Sequence, residues 1–163
     1  MSVTSIDKDL DALTLTLIAD FEASAEQVWD LWADPRKLER WWGPPTYPAT
    51  VVDHDLTAGG EVRYYMTSPE GEKYHGWWRI TDVDANQSLE FIDGFADSEG
   101  KPVDDPPAST TTMRLSSHDG GTRMELRSTF DTREQMDQLL AMQMDEGLRQ
   151  SVGQMDALLA TRV

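Results

Sequence analysis

The last part of the chain carries apolar side chains at helical spacing over an unusual length. The pattern begins after Thr132, a good N-cap whose capping-box partner would be Gln135, and continues to about Ala160. A helix of about 28 residues is roughly 42 Å long. Its apolar stripe must be buried against another layer, so the rest of the chain has to supply a facing surface. The stripe consists of Met136, Leu139, Leu140, Met144, Leu148, Val152, Met155, Leu158 and Leu159.

The preceding residues supply that surface as strands joined by short turns. Leu13 to Phe21 alternates apolar and polar side chains, which is typical of a strand with one buried face. Turn-forming residues such as those at 69–72 and 118–121 separate later segments of the same kind. Short connections between consecutive strands require antiparallel pairing. The other predicted strands are Ala49 to Leu56, Glu61 to Thr67, Lys73 to Val83, Ser88 to Phe95, Ser109 to Ser117 and Thr122 to Phe130.

Two short helices are predicted between the first and second strands. Ser24 is a good N-cap, and Gln27 completes a capping box three residues later. Asp34-Pro35 ends this helix, because the residue before a proline avoids the helical region. A second helix then runs from Arg36 to Trp42 and stops at Gly43.

This order of elements predicts an α+β helix-grip fold. A curved antiparallel sheet of about seven strands should wrap around the long C-terminal helix, with the two short helices closing one end. Residues 12–161 should form a single domain. The polar, acidic residues 1–11 should form a flexible N-terminus without the features of a signal peptide.

Composition restricts the partners of the protein. The formal net charge is −16, from 30 acidic and 14 basic residues, so phosphate backbones and anionic lipid surfaces should be repelled. We therefore predict neither a nucleic-acid nor a membrane partner. The chain has no cysteine, and no apolar run approaches the roughly 18 residues of a membrane span. These features predict a cytoplasmic protein.

Aromatic, methionine and glycine residues mark a possible cavity between sheet and helix. Trp41-Trp42 could place one ring inward and the other at a rim, although both could simply anchor the short helices. On the strands, Tyr64, Met66 and Trp78 share the inward phase. Gly147 lies inside the predicted long helix, where a glycine is unfavourable. It should therefore either serve close approach to the sheet or leave open space in the cavity. The predicted cavity residues are Trp41, Trp42, Tyr64, Met66, Trp78, Phe91, Met113, Met144, Gly147 and Leu148.

Catalytic motifs are missing from the sequence. There is no His-x-x-x-His metal motif, no nucleophile elbow and no phosphate-binding loop. We therefore predict no cofactor, no metal and no catalytic residue, and the pattern favours binding over catalysis. The only loose catalytic candidates are His75 with Tyr64 or Arg63.

Several segments resemble the Hsp90-ATPase-activator-like family of the START/Bet v 1-like superfamily. They are Phe21 to Trp29, Trp32 to Pro35 and Trp41 to Pro44, supported by residues 55–60 and Gly147. The resemblance covers residues 12–160. It implies a curved seven-stranded sheet, a cavity under the last helix and no shared cofactor. Relatives often carry Trp directly after the helix glycine, where this chain has Leu148.

Three functions follow from the fold and the resemblance together. The first is binding of a small apolar or amphipathic molecule in the cavity. The second is a protein-interaction module that regulates an Hsp90-type chaperone. The third is a cavity enzyme of cyclase or hydrolase type. The protein could act as a monomer or a homodimer.

Overall fold

The computed structural model describes residues 3–103 and 108–160, so Met1, Ser2 and the predicted domain end at 161 lie outside the described residues. Within these ranges the chain forms one large sheet and five helical segments. The strands are β1 (Val3–Asp9), β2 (Thr14–Phe21), β3 (Ala49–His54), β4 (Glu61–Thr67), β5 (Lys73–Asp84), β6 (Ser88–Ala96), β7 (Ser109–His118) and β8 (Gly121–Thr129). The helices are α1 (Ala25–Ala33), α2 (Pro35–Trp41), α3 (Arg133–Ala141), α4 (Met144–Gly153) and α5 (Met155–Ala160).

The predicted α+β helix-grip architecture is confirmed. All neighbouring strands pair antiparallel, in the order β1-β2-β8-β7-β6-β5-β4-β3. The sheet is curved and faces the C-terminal helical segments. It has eight strands, one more than the sequence indicated.

The additional strand is β1, and it corrects the prediction of a flexible N-terminus. Val3–Asp9 pairs along β2, with Ile6 opposite Leu17 and packed against the core. Most of its other side chains are exposed. An edge strand buries little, so its sequence can be polar and charged. The period-2 apolar pattern that reveals an inner strand is therefore weak here.

The C-terminal helix is interrupted, although a single helix was predicted. Gln143 adopts a left-handed backbone conformation with φ of 62°, which separates α3 from α4. A second interruption at Gln154 separates α4 from α5. The apolar stripe continues through both interruptions, and neither glycine nor proline marks the first one. Apolar spacing therefore could not show that the helix is broken.

Both short helices are capped at their N-termini, the first as the sequence indicated. Ser24 and Gln27 form both bonds of the capping box at the start of α1. The Asp34 side chain accepts from the backbone of Arg36 at the start of α2. Apolar and aromatic side chains of both helices are buried against the inner face of the sheet. This packing places the tryptophans of the helix pair at one end of the core.

Two kinds of structure are absent from the described residues. No helix within 3–103 and 108–160 is long and apolar enough to cross a bilayer. The same residues hold no group of three or more His, Cys, Asp or Glu side chains arranged to bind a metal ion.

Candidate ligand cavity

A cavity of about 290 Å³ lies between the sheet, the short helices and the C-terminal helical segments. Most of its lining is apolar, and the polar groups come chiefly from the sheet side and from α4. The lining residues are Trp32, Trp42 and Pro44 from the helix pair, Tyr64, Met66, Asp93, Gly94, Phe95, Ser109, Thr111, Leu126 and Ser128 from the sheet, and Leu139, Met142, Gln143, Met144, Gly147, Leu148 and Ser151 from the helical segments.

The loop after α2 holds one end of the cavity in place. Gly43 has a φ of 145°, and a Cβ there would lie 2.4 Å from the carbonyl oxygen of Tyr47. Only glycine fits this position without a shift of the backbone. The Gln154 side chain donates to the carbonyl oxygen of Gly43 at 2.6 Å. The loop that carries Trp42 is thereby tied to the end of α4.

A compact aromatic cluster fills the core at this end, and its members Trp32 and Trp42 line the cavity. Trp32 lies with its ring centroid 4.7 Å from that of Trp41 and 5.9 Å from that of Trp78. Trp42 meets Trp78 edge to face at 4.8 Å, and Phe91 stacks on Trp78 at 4.1 Å. Edge-to-face and stacked pairs of this kind add stability beyond their buried area.

The tryptophans in and around this cluster differ in their hydrogen bonding. Trp41 donates to the carbonyl oxygen of Leu31, and Trp77 donates to that of Phe95, both at 2.8 Å. The buried indole N–H group of Trp32 has no acceptor among the described residues, whereas those of Trp42 and Trp78 lie close to the Tyr64 hydroxyl and lower the pKa of that group against the effect of burial. A buried donor without a partner costs roughly 1–3 kcal/mol. This cost applies to Trp32, which lines the cavity.

Tyr64 lies on the inner face of β4 above a glycine. Its register partner on β5 is Gly76, and a Cβ there would lie 2.4 Å from the Tyr64 hydroxyl. The glycine is thus a point of close approach, which lets the tyrosine ring lie flat against the strand. Burial raises the pKa of Tyr64 well above its ordinary value, so the phenol is neutral at physiological pH.

Asp93 is the carboxyl group in the lining. It follows Leu89 and Phe91 on the inward phase of β6, beside the Tyr64 hydroxyl. Burial raises the pKa of Asp93 to about 7, and the interaction with Tyr64 opposes part of this rise. No Lys, Arg or His within residues 3–103 and 108–160 forms an ion pair with it. The carboxyl therefore changes its charge near neutral pH while facing the cavity.

The helical wall contains open space at Gly147. A Cβ at this position would meet no atom within 4 Å, so the glycine does not serve close approach to the sheet. The Ser151 hydroxyl donates to the Gly147 carbonyl at 2.9 Å, one turn along α4. Of the two interpretations of this glycine, the structure supports the one that leaves space.

The sequence matches the family described as "Activator of Hsp90 ATPase homolog 1-like protein" over residues 22–160. The chain belongs to this family. Its neighbours by structure place it in the START/Bet v 1-like superfamily, as the resemblance implied. No curated protein sequence matches the chain.

Solved structures of bacterial proteins share the architecture of this Hsp90-activator-like chain. A crystal structure of protein Ms6760 from Mycobacterium smegmatis is 49% identical, with a TM-score of 0.91 and 99% of each chain covered. A solution structure of a protein from Arthrobacter aurescens is 47% identical, with a TM-score of 0.95, and covers 99% of this chain and 94% of that one. The AHSA1 protein from Silicibacter pomeroyi is 25% identical, with a TM-score of 0.72 and coverage of 90% and 97%.

The structure divides the ten predicted cavity residues of this family member into two sets. Trp41, Trp78, Phe91 and Met113 are fully buried in the core and do not line the cavity. Both members of the Trp41-Trp42 pair are buried: Trp41 packs in the core, and Trp42 lines the cavity. The residues that do line the cavity are Trp42, Tyr64, Met66, Met144, Gly147 and Leu148.

The loose catalytic group of His75, Tyr64 and Arg63 does not assemble. His75 contacts the ring of Tyr65, and Arg63 contacts Glu61, whereas Tyr64 faces the cavity. Asp93, which the sequence analysis missed, is the titratable group beside Tyr64. The alternation of the predicted strand from Ser88 to Phe95 could have indicated it, because Asp93 shares the inward phase of Leu89 and Phe91.

Proposed function

We propose that this protein binds a small molecule with an apolar body in the cavity beneath its C-terminal helical segments. The observation that carries the proposal is the cavity itself, about 290 Å³ and walled mainly by aromatic, methionine and leucine side chains. Ligand sites in proteins commonly have volumes from about 300 Å³ upwards and apolar walls with a few polar groups. The cavity lies near the lower end of this range, so a compact ligand fits best.

Two further features support a binding role. Gly147 leaves space in the wall where a larger residue would favour helix formation. Gln143 adopts a left-handed conformation at the cavity, which costs a non-glycine residue roughly 1–2 kcal/mol. Backbone strain of this kind is often found at functional sites.

Tryptophan fluorescence tests the proposal directly, because Trp32 and Trp42 line the cavity. Titration with straight-chain fatty acids, medium-chain alcohols and flat aromatic compounds should produce a saturable change in emission for at least one class. If no ligand in these classes changes the emission, the proposal fails. The protein-interaction module would then be the better hypothesis.

Substituting Gly147 by leucine should weaken ligand binding by at least about tenfold without lowering the melting temperature. The new side chain enters open space in the cavity, where its burial contributes about 25 cal/mol per Å². Replacing a helix-interior glycine also recovers up to about 1 kcal/mol. Fluorescence titration and thermal unfolding measure the two effects separately.

Gly153→Leu is the matched control for this substitution. Gly153 also lies in α4, and a Cβ there would likewise meet no atom within 4 Å, but this glycine does not line the cavity. This variant should keep the ligand affinity of the unmodified protein. Equal losses of affinity in both variants, or a clear drop in melting temperature for Gly147→Leu, would contradict the assignment of Gly147 to the cavity wall.

A further inference from the structure

The described lining of the cavity has one acidic side chain and no basic one. Among the described lining residues, Asp93 is an acid and none is Lys, Arg or His. The other polar groups are hydroxyls, the Gln143 amide and the buried Tyr64 phenol. A ligand anion would therefore meet no positive partner in the wall and would be opposed by the Asp93 carboxylate.

The surroundings of Asp93 favour binding of a cationic group next to its carboxylate. It projects from β6 between Trp78 on β5 and Ser109 on β7 in the register of the sheet. Tyr64 is the titratable side chain beside it, and no charged side chain of the described residues influences it appreciably. A carboxylate in such surroundings is costly unless a positive group lies against it.

Aromatic rings line the same cavity, and that of Tyr64 lies beside Asp93. Trp32, Trp42, Tyr64 and Phe95 all line it, and the rings of Trp42 and Tyr64 lie edge to face at 6.0 Å. The faces of aromatic rings attract cations, most strongly those of tryptophan, and aromatic cages bind quaternary ammonium groups. Rings together with one carboxylate thus offer two kinds of attraction to the same positive head group.

We propose that the ligand of this cavity is an amphipathic cation, an organic amine or quaternary ammonium compound, whose charged head lies against Asp93 and the rings of Tyr64 and Trp42. This inference rests on the proposed binding function and specifies the class of ligand. The formal net charge of −16 acts in the same direction, since the field of the protein attracts cations and repels anions.

Binding of a permanent cation should depend on pH through Asp93. The ammonium group favours the ionised carboxylate, so affinity should be highest above pH 7 and should fall as Asp93 becomes protonated below it. Trp78, Ser109 and Tyr64 flank Asp93, and Tyr64 stays neutral through this range. The pH dependence should therefore follow one group.

Three octyl compounds that differ only in the head group test the inference. Octyltrimethylammonium, 1-octanol and octanoate should each be titrated against the full chain at pH 8 and pH 5, with tryptophan emission as the signal. At pH 8 the ammonium compound should bind at least about tenfold more tightly than 1-octanol, and octanoate should bind more weakly than both. At pH 5 the preference for the ammonium compound should shrink severalfold.

Asp93→Asn should abolish the preference for octyltrimethylammonium over 1-octanol, and far-UV circular dichroism should show that the variant is folded. Asp82→Asn, which removes an exposed carboxylate from β5, should keep the preference. If 1-octanol binds but the ammonium compound has no advantage, or if octanoate binds best, the inference is wrong while the binding function stands. If none of the three binds, both the inference and the proposed function fail.

Discussion

Replacing Trp32 with alanine should lower the free energy of unfolding by about 3–5 kcal/mol. Trp32 is fully buried and lies within 6.3 Å, between ring centroids, of Trp41, Trp42, Trp78 and Phe91. Its removal would leave a void at the centre of the aromatic cluster and enlarge the adjacent cavity. Urea unfolding followed by circular dichroism measures the change.

Trp77→Ala is the matched control for this prediction. Trp77 is partly exposed, crosses Gly94 on the neighbouring strand and donates one hydrogen bond to Phe95. Its loss should cost about 1 kcal/mol. Equal destabilisation by the two substitutions would mean that the cluster around Trp32 does not dominate the core.

Asp93→Asn should stabilise the protein by up to about 4 kcal/mol at pH 8 and have little effect near pH 4. The pKa of Asp93 is raised from its ordinary value of 3.8 to about 7, because burial disfavours the carboxylate. A rise of that size corresponds to about 4 kcal/mol once the group is ionised in both states. The group is partly accessible from the cavity, so this figure is an upper bound.

The sign of this effect follows from proton binding. Below pH 3.8 Asp93 is protonated in both states and imposes no penalty. Between pH 3.8 and 7 the Asp93 carboxyl loses its proton in the unfolded chain but keeps it in the folded protein. The contribution of Asp93 to the free energy of unfolding therefore falls as pH rises. Above pH 7 the penalty is constant.

Unfolding titrations from pH 4 to pH 8 should therefore show a gap between the two proteins that widens to pH 7 and then levels off. Asp82→Asn should stay parallel to the unmodified protein, because Asp82 is exposed. A gap that does not change with pH would exclude Asp93 as a buried ionising group. Because the carboxylate lowers stability, its presence is consistent with a role in ligand recognition.

Local signals in the sequence determined the order and type of most elements. The capping residues Ser24 and Asp34 act over three residues or fewer, and the structure places them at the starts of α1 and α2. The alternation from Leu13 to Phe21 fixes which side chains of β2 are buried, because a strand that covers a core must present one face to it. The antiparallel sheet and its position against the C-terminal apolar stripe follow from these local rules.

Tertiary structure decided which inward side chains reach the cavity. Trp78, Phe91 and Met113 have the same inward phase as Tyr64 and Asp93 but are fully buried, Trp78 and Phe91 among neighbouring rings. Whether an inward residue packs in the core or borders a cavity depends on what lies above it from a distant part of the chain. Alternation within one strand carries no information on that question.

The interruptions of the long helix and the charge of Asp93 have the same origin. Gln143 adopts a left-handed conformation between α3 and α4, which nothing in its own sequence neighbourhood favours. The ionisation of Asp93 near pH 7 arises from burial beside Tyr64, which belongs to another strand, β4. The sequence by itself determined most of the elements and the faces that they bury. Only the assembled sheet and helices determined where the cavity lies, which residues line it and what charge its wall carries. These properties depend on groups that come together from distant parts of the chain.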